Sequence, residues 1–90
     1  MVTEDQKEAL SDLSDLEVGE RATVVGLEGG SRFLGRMAAL GFTPGATIDV
    51  VRNHGSGPII VTILDTQIAL GRGQAHRVHV RRRGSGYPAD

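Results

Sequence analysis

The chain has no cysteine and no tryptophan, and its aromatic residues are one tyrosine and two phenylalanines. Without thiols it can form no disulfide, thiolate metal site or cysteine nucleophile, so the fold must rest on apolar burial. Without an aromatic surface, a proline-rich peptide groove and a base-stacking platform both lose their main contact. No apolar run nears the roughly 20 residues of a bilayer span. Glu4, Asp5 and Glu8 contradict the basic start of an export signal, so the expected location is cytoplasmic, with no membrane insertion. The serines fall in caps, glycine-rich loops or the C-terminal stretch, and none stands on a nucleophile elbow. Gly55-Ser56-Gly57 and Gly71-Arg72-Gly73 lack the Gly-Lys-Ser/Thr helix start of a phosphate loop. The expectation is a protein that is not an enzyme.

Ninety residues, 39% apolar and 23% charged, fit one small globular domain. The formal charge of −1 hides an asymmetry. Residues 1–20 carry seven acids and one lysine, whereas residues 21–90 carry nine arginines and four acids. A mildly basic body behind an acidic arm is the result.

The chain is organised around Ser31–Gly45. Phe33, Met37 and Leu40 recur at helical spacing, with Leu34 and Ala38 widening the stripe, while Arg32 and Arg36 share the wetter face. Ser31 is expected to cap the helix and Gly41 to end it in a left-handed conformation, folding Phe42 back towards Met37. Thr43 precedes Pro44 and is pushed to extended backbone, and Pro44-Gly45 suits a type II turn into a strand. A mid-helix glycine costs roughly 1 kcal/mol against alanine, so Gly35 reads as a point of close packing on a sheet.

Around this helix the alternation predicts five short strands. The first is Arg21–Glu28, with Ala22 and Val24 inward and Gly26 a bulge. The second carries Ile48 and Val50, and Asn53–Gly57 is an exposed loop. The third is the β-branched run Pro58–Leu64, with Pro58 at its first position. Asp65-Thr66 is a tight turn into a fourth strand at Gln67–Leu70. Gly71–Ala75 is too rich in glycine for regular structure, and Val78 and Val80 mark a fifth strand. The fold class expected is mainly β: a small five-stranded barrel with one short α-helix after the first strand. The domain boundaries follow as an acidic, mobile arm over 1–12, carrying a capping box at Thr3 and Gln6, a barrel domain over 13–81, and a disordered tail over 82–90.

The ordered set Leu13, Leu16, Gly19, Ala22, Val24, Arg36-Met37, Leu40-Gly41-Phe42, Pro44-Gly45, Ile48, Val50, Gly57-Pro58, Ile68-Ala69-Leu70, Arg72, Ala75, Val78 and Val80 resembles the FeoA family. The resemblance runs from about Leu13 to Arg81. It implies an SH3-like β-barrel and a non-enzymatic cytosolic accessory of bacterial ferrous iron uptake. The implied partner is FeoB, the membrane transporter with a cytoplasmic GTP-binding part. The chain also resembles the C-terminal domain of iron-dependent repressors but lacks their winged-helix DNA reader.

The partner-binding residues expected are Arg32, Arg36, Met37, Leu40, Gly41, Phe42, Pro44, Gly45 and Arg72. Arginine beside apolar surface is typical of interface anchors. The second faces of two strands, at Val25, Leu27, Ile60 and Leu64, add apolar surface a barrel leaves uncovered, and self-association is a further use for it. No cofactor is expected. Neutral imidazole suits divalent iron, which makes His76 and His79 the weak metal candidates, but three apart around a turn their rings need not converge. The alternative reading is a metal-responsive or nucleic-acid-binding regulatory module, with Arg77, Arg81, Arg82 and Arg83 on phosphates. No specific nucleic acid is expected.

Overall fold

The computed structural model describes residues 10–82. The capping box at Thr3 and Gln6 and the stretch from Arg83 to Asp90 lie outside the described residues. Six strands and two helices follow one another: β1 (Leu10–Asp12), β2 (Arg21–Leu27), α1 (Ser31–Ala39), β3 (Thr47–Arg52), β4 (Ile59–Ile63), β5 (Thr66–Leu70), α2 (Arg72–Ala75) and β6 (Val78–Arg82), with a 3-10 turn at Leu13–Asp15. All pair antiparallel in the order β1-β6-β2-β3-β4-β5. The sheet is mainly β as expected but has six strands, not five. Leu10–Asp12 pairs with His79–Arg81, an assignment hidden by its polarity, and Arg82 continues β6 opposite Ala22. Among the described residues β1 and β5 end the strand order without pairing to each other, so there hydrogen bonds do not close the sheet into a ring.

Strict alternation along β4 buries Ile59, Val61 and Ile63. Val24, Ile48, Val50, Leu70, Val78 and Val80 join them, and Leu13, Leu16, Met37, Phe42 and Ala75 fill the same cluster from turns and helices. Each large apolar side chain so buried contributes about 1.5–3 kcal/mol relative to exposure. A bulge between Val24 and Gly26 shifts the register of β2 against β6. The extra residue reverses the alternation, so Leu27 packs against the core rather than on the second face with Val25.

The two helices also depart from expectation. Ser31 does not cap α1; Gly30 holds the N-cap position with no side-chain hydrogen bond. Gly71–Ala75, expected to be irregular, winds into α2, because Gln74 Oε1 accepts the Gly71 N–H at 3.0 Å and so satisfies one free amide of the first turn. The exit from α1 follows the sequence: Gly41 has φ +105° and Gly45 φ +94°, and Phe42 N–H donates to Met37 O at 3.0 Å. Between β4 and β5 the turn is one residue earlier than expected. Ile63 pairs with Thr66, leaving Leu64 and Asp65 at the apex with φ of 52° and 62°, the pattern of a type I′ hairpin.

Candidate functional site

Helix α1 lies with Phe33 and Met37 buried and Arg32, Leu34, Arg36 and Leu40 exposed. Of the residues expected to bind a partner, Met37 and Phe42 are withdrawn into the core at 0% and 1% exposure. Their burial holds the helix down on the sheet. Arg32, Arg36, Leu40, Pro44 and Gly45 are exposed and Gly41 half-buried. A Cβ on Gly41 would stand 2.8 Å from Leu64 Cδ1, so the β4–β5 turn lies directly against the end of α1. Leu64, 74% exposed, therefore stands beside Gly41, whose chain neighbour Leu40 is 40% exposed; Leu34, at 37%, is two residues from both Arg32 and Arg36 and so lies on the other flank of the helix.

Arg72 is directed elsewhere. Half-buried, it donates through Nη2 to Asn53 Oδ1. Asn53 in turn donates to Leu16 O at 2.6 Å and Ser14 O at 3.2 Å. The arginine thus braces the β3–β4 loop and, through Asn53, the 3-10 turn. Val25 and Ile60 are half-buried.

A shallow cleft of about 530 Å³ opens between the exposed side of α1 and α2, lined by Arg32, Phe33, Arg36, Gly71, Gly73, Gln74 and Arg77. Its floor is the Phe33 ring. On one side Gly29, at φ +152°, lets the ring approach so closely that a Cβ there would fall 2.6 Å from Cδ2. On the other, Arg77 Cζ lies 5.3 Å from the ring centroid, a cation–π contact. Sequence spacing found Arg32 and Arg36 but put Arg77 on the final strand, because nothing local signals that α2 returns it to α1.

The candidate metal ligands are not brought together. His76 Nδ1 is 3.4 Å from Asp12 Oδ2 and 3.1 Å from Ser14 Oγ. His79 Nε2 faces Glu28 Oε2 at 3.0 Å, and His54 is exposed in its loop. No group of three or more potential ligands occurs among the described residues, so the donor sets present do not fit a tight metal centre. Asp12 also accepts hydrogen bonds from the amide and hydroxyl of Ser14. Burial pushes its carboxyl up, but these bonds and His76 outweigh that and hold it below its ordinary value.

Glu20 is half-buried and meets Arg82 in a two-pronged pair, Nε to Oε2 at 2.6 Å and Nη2 to Oε1 at 2.9 Å. The guanidinium bonds hold the Glu20 carboxyl below the usual range, against a smaller opposing effect of burial. Arg82, a candidate phosphate contact from sequence, is thus committed within the fold.

FeoA proteins recur in the comparisons with known proteins. The family model described as FeoA domain matches residues 12–82. A protein of Methanocaldococcus jannaschii named, on a provisional footing, Fe(2+) transport protein A is 32% identical over 62 residues, or 69% of this chain and 74% of that one. The crystal structure of an iron uptake regulatory protein, FeoA, superposes with TM-score 0.79 at 37% identity, covering 83% of this chain and all of the other. The zinc complex of Stenotrophomonas maltophilia FeoA, described as a procaryotic SH3 domain protein and a proposed ferrous iron transport activating factor, superposes with TM-score 0.68. It is 28% identical over 77% of this chain and 87% of that one.

Proposed function

We propose, from the premise that this chain belongs to the FeoA family of small proteins associated with ferrous iron transport, that it is a cytosolic accessory of FeoB. It binds the transporter's soluble GTP-binding part and modulates its activity by contact, without catalysing a reaction or holding a resident cofactor. The observation that supports this reading best is the outer side of α1. It carries Arg32, Arg36 and Leu40, all exposed, at successive four-residue spacings along one side, and Leu64 adds exposed apolar surface beside Gly41 just past the helix end. Apolar area provides the driving force and arginine the directional bonds, a combination enriched in interface cores.

No helix among the described residues is long and apolar enough to cross a membrane, which agrees with a partner supplying the membrane part. Ferrous ion is the transporter's cargo in this reading, and the histidines are not its ligands. Titration of the protein into the isolated soluble domain of the transporter tests the proposal. Saturable binding is expected, weakened at least tenfold by Arg32→Glu combined with Arg36→Glu and again by Leu64→Asn. Binding that the double variant leaves unchanged removes α1 as the contact, and absence of binding to the intact transporter defeats the reading.

A further inference from the structure

We infer that the cleft between α1 and α2 is a binding site for a phosphate-bearing small molecule. Three guanidinium groups, from Arg32, Arg36 and Arg77, line one concavity whose other lining residues are a phenylalanine, a glutamine and two glycines. No carboxylate stands among them. Among the described residues the acids are engaged elsewhere: Glu20 with Arg82, Asp49 with Arg21, Asp12 with His76 and Glu28 with His79. Asp15 and Glu17 act on Arg82, and Asp65 sits at the hairpin apex beside Leu64, which packs at the opposite end of α1. Arg32 and Arg36 are also one helical turn apart, where like charges repel. Such an arrangement is stabilised by a multiply charged anion and destabilised without one.

The chemistry favours phosphate over carboxylate. Each guanidinium presents a planar fork of donors suited to two oxygens, and three forks need more acceptors than one carboxylate supplies. Gln74 adds to the donor set, since its carbonyl oxygen is already occupied by the Gly71 amide at 3.0 Å and its NH₂ group remains. The α1 first turn contains no acidic residue and no side-chain cap, so the positive end of the helix is uncompensated and adds to the field. The stacked Phe33–Arg77 pair fixes one fork over a rigid floor, and the volume leaves room beyond a bare phosphate for the organic part of an ester. This site does not rest on the transporter contact, because the free protein binds such a ligand whether or not it docks on anything.

The test is titration of the full chain with inorganic phosphate, pyrophosphate and a carboxylate-only peptide of matched charge, followed by amide and arginine side-chain NMR shifts. Saturable shifts confined to residues 31–36 and 71–77 are expected, with pyrophosphate bound more tightly than phosphate. Arg36→Gln and Arg77→Gln should each weaken pyrophosphate binding about tenfold, Arg77→Lys severalfold, and Arg52→Gln, an exposed cation outside the cleft, not at all. A folded spectrum for Arg36→Gln, which alters an exposed side chain, keeps the result readable should Arg77→Gln loosen Phe33. Shifts that never saturate, that spread equally to Arg21 and Arg52, or that the acidic peptide reproduces at the same concentration overturn the inference.

Discussion

Two glycines in one stretch, Gly35 and Gly41, do different work, and substitution separates them. Gly35 is exposed in the middle of α1, and a Cβ there would meet nothing within 4 Å. The close packing expected from sequence is absent, so the cost of a helical glycine is unopposed. Gly35→Ala is therefore expected to raise stability by about 0.5–1 kcal/mol, read as a higher urea midpoint at unchanged slope. Gly41→Ala is expected to do the reverse, losing about 1–2 kcal/mol, because φ +105° strains any side chain. Adding Leu64→Ala to Gly41→Ala removes the 2.8 Å clash and should recover only the smaller part of that loss. If the double variant regains full stability, the clash and not the backbone is what Gly41 avoids. From sequence the helix stop at Gly41 was legible, since a positive φ after a helix is a local demand. The idleness of Gly35 was not, since it depends on what lies across from it.

At the level of elements the hairpin between β4 and β5 carries an apparent contradiction. Type I′ turns favour Asn and Gly at their two central positions, yet here Leu64 and Asp65 hold φ of 52° and 62°, and Leu64 spends that strained position on a side chain 74% exposed. A leucine placed so serves neither the core nor the turn. Leu64→Asn is expected to stabilise the fold by about 0.5–1 kcal/mol while weakening attachment to the transporter's soluble domain; thermal melts and the binding titration read the two effects separately. A loss of stability would mean that Leu64 is held by the end of α1 rather than offered to a partner. The elements also divide by how much of them their own residues declare. β4 and α1 announce themselves by period, since their apolar positions repeat every two and every three to four residues. β1 and α2 do not: the first is stabilised by pairing with β6, the second by one glutamine side chain bonding back to its start, and neither leaves an apolar rhythm.

For the molecule as a whole, the same distinction sets what could be known of the site. Phe33 and Met37 were legible as the packing side of α1 and Arg32 and Arg36 as its exposed side, but the cleft and the contact Arg72 makes with Asn53 exist only through segments distant in sequence, and spacing cannot register them. Those long-range contacts make the fold sensitive to acid. Glu20 and Asp12 both titrate below their ordinary values in the folded chain, so at low pH the unfolded state binds more protons and stability falls as pH falls. The contribution of each is complete above the ordinary carboxylate range and is lost from about pH 5 downward, through the region near pH 4. The Glu20–Arg82 pair ties β6 to the start of β2 and is two-pronged, with side chains 16% and 29% exposed. Glu20→Gln is therefore expected to cost about 1 kcal/mol at neutral pH, after allowance for solvent screening, and to flatten the acid limb of the stability curve. Asp12→Asn should flatten what remains, because it removes the titrating charge that faces His76 while leaving an amide oxygen to accept the Ser14 N–H. Denaturant midpoints measured from pH 3 to pH 7 for the parent and both variants decide the matter: parallel curves would show that the acid sensitivity arises elsewhere, whereas convergence of all three at the lowest pH is what two carboxylates protonated on unfolding require.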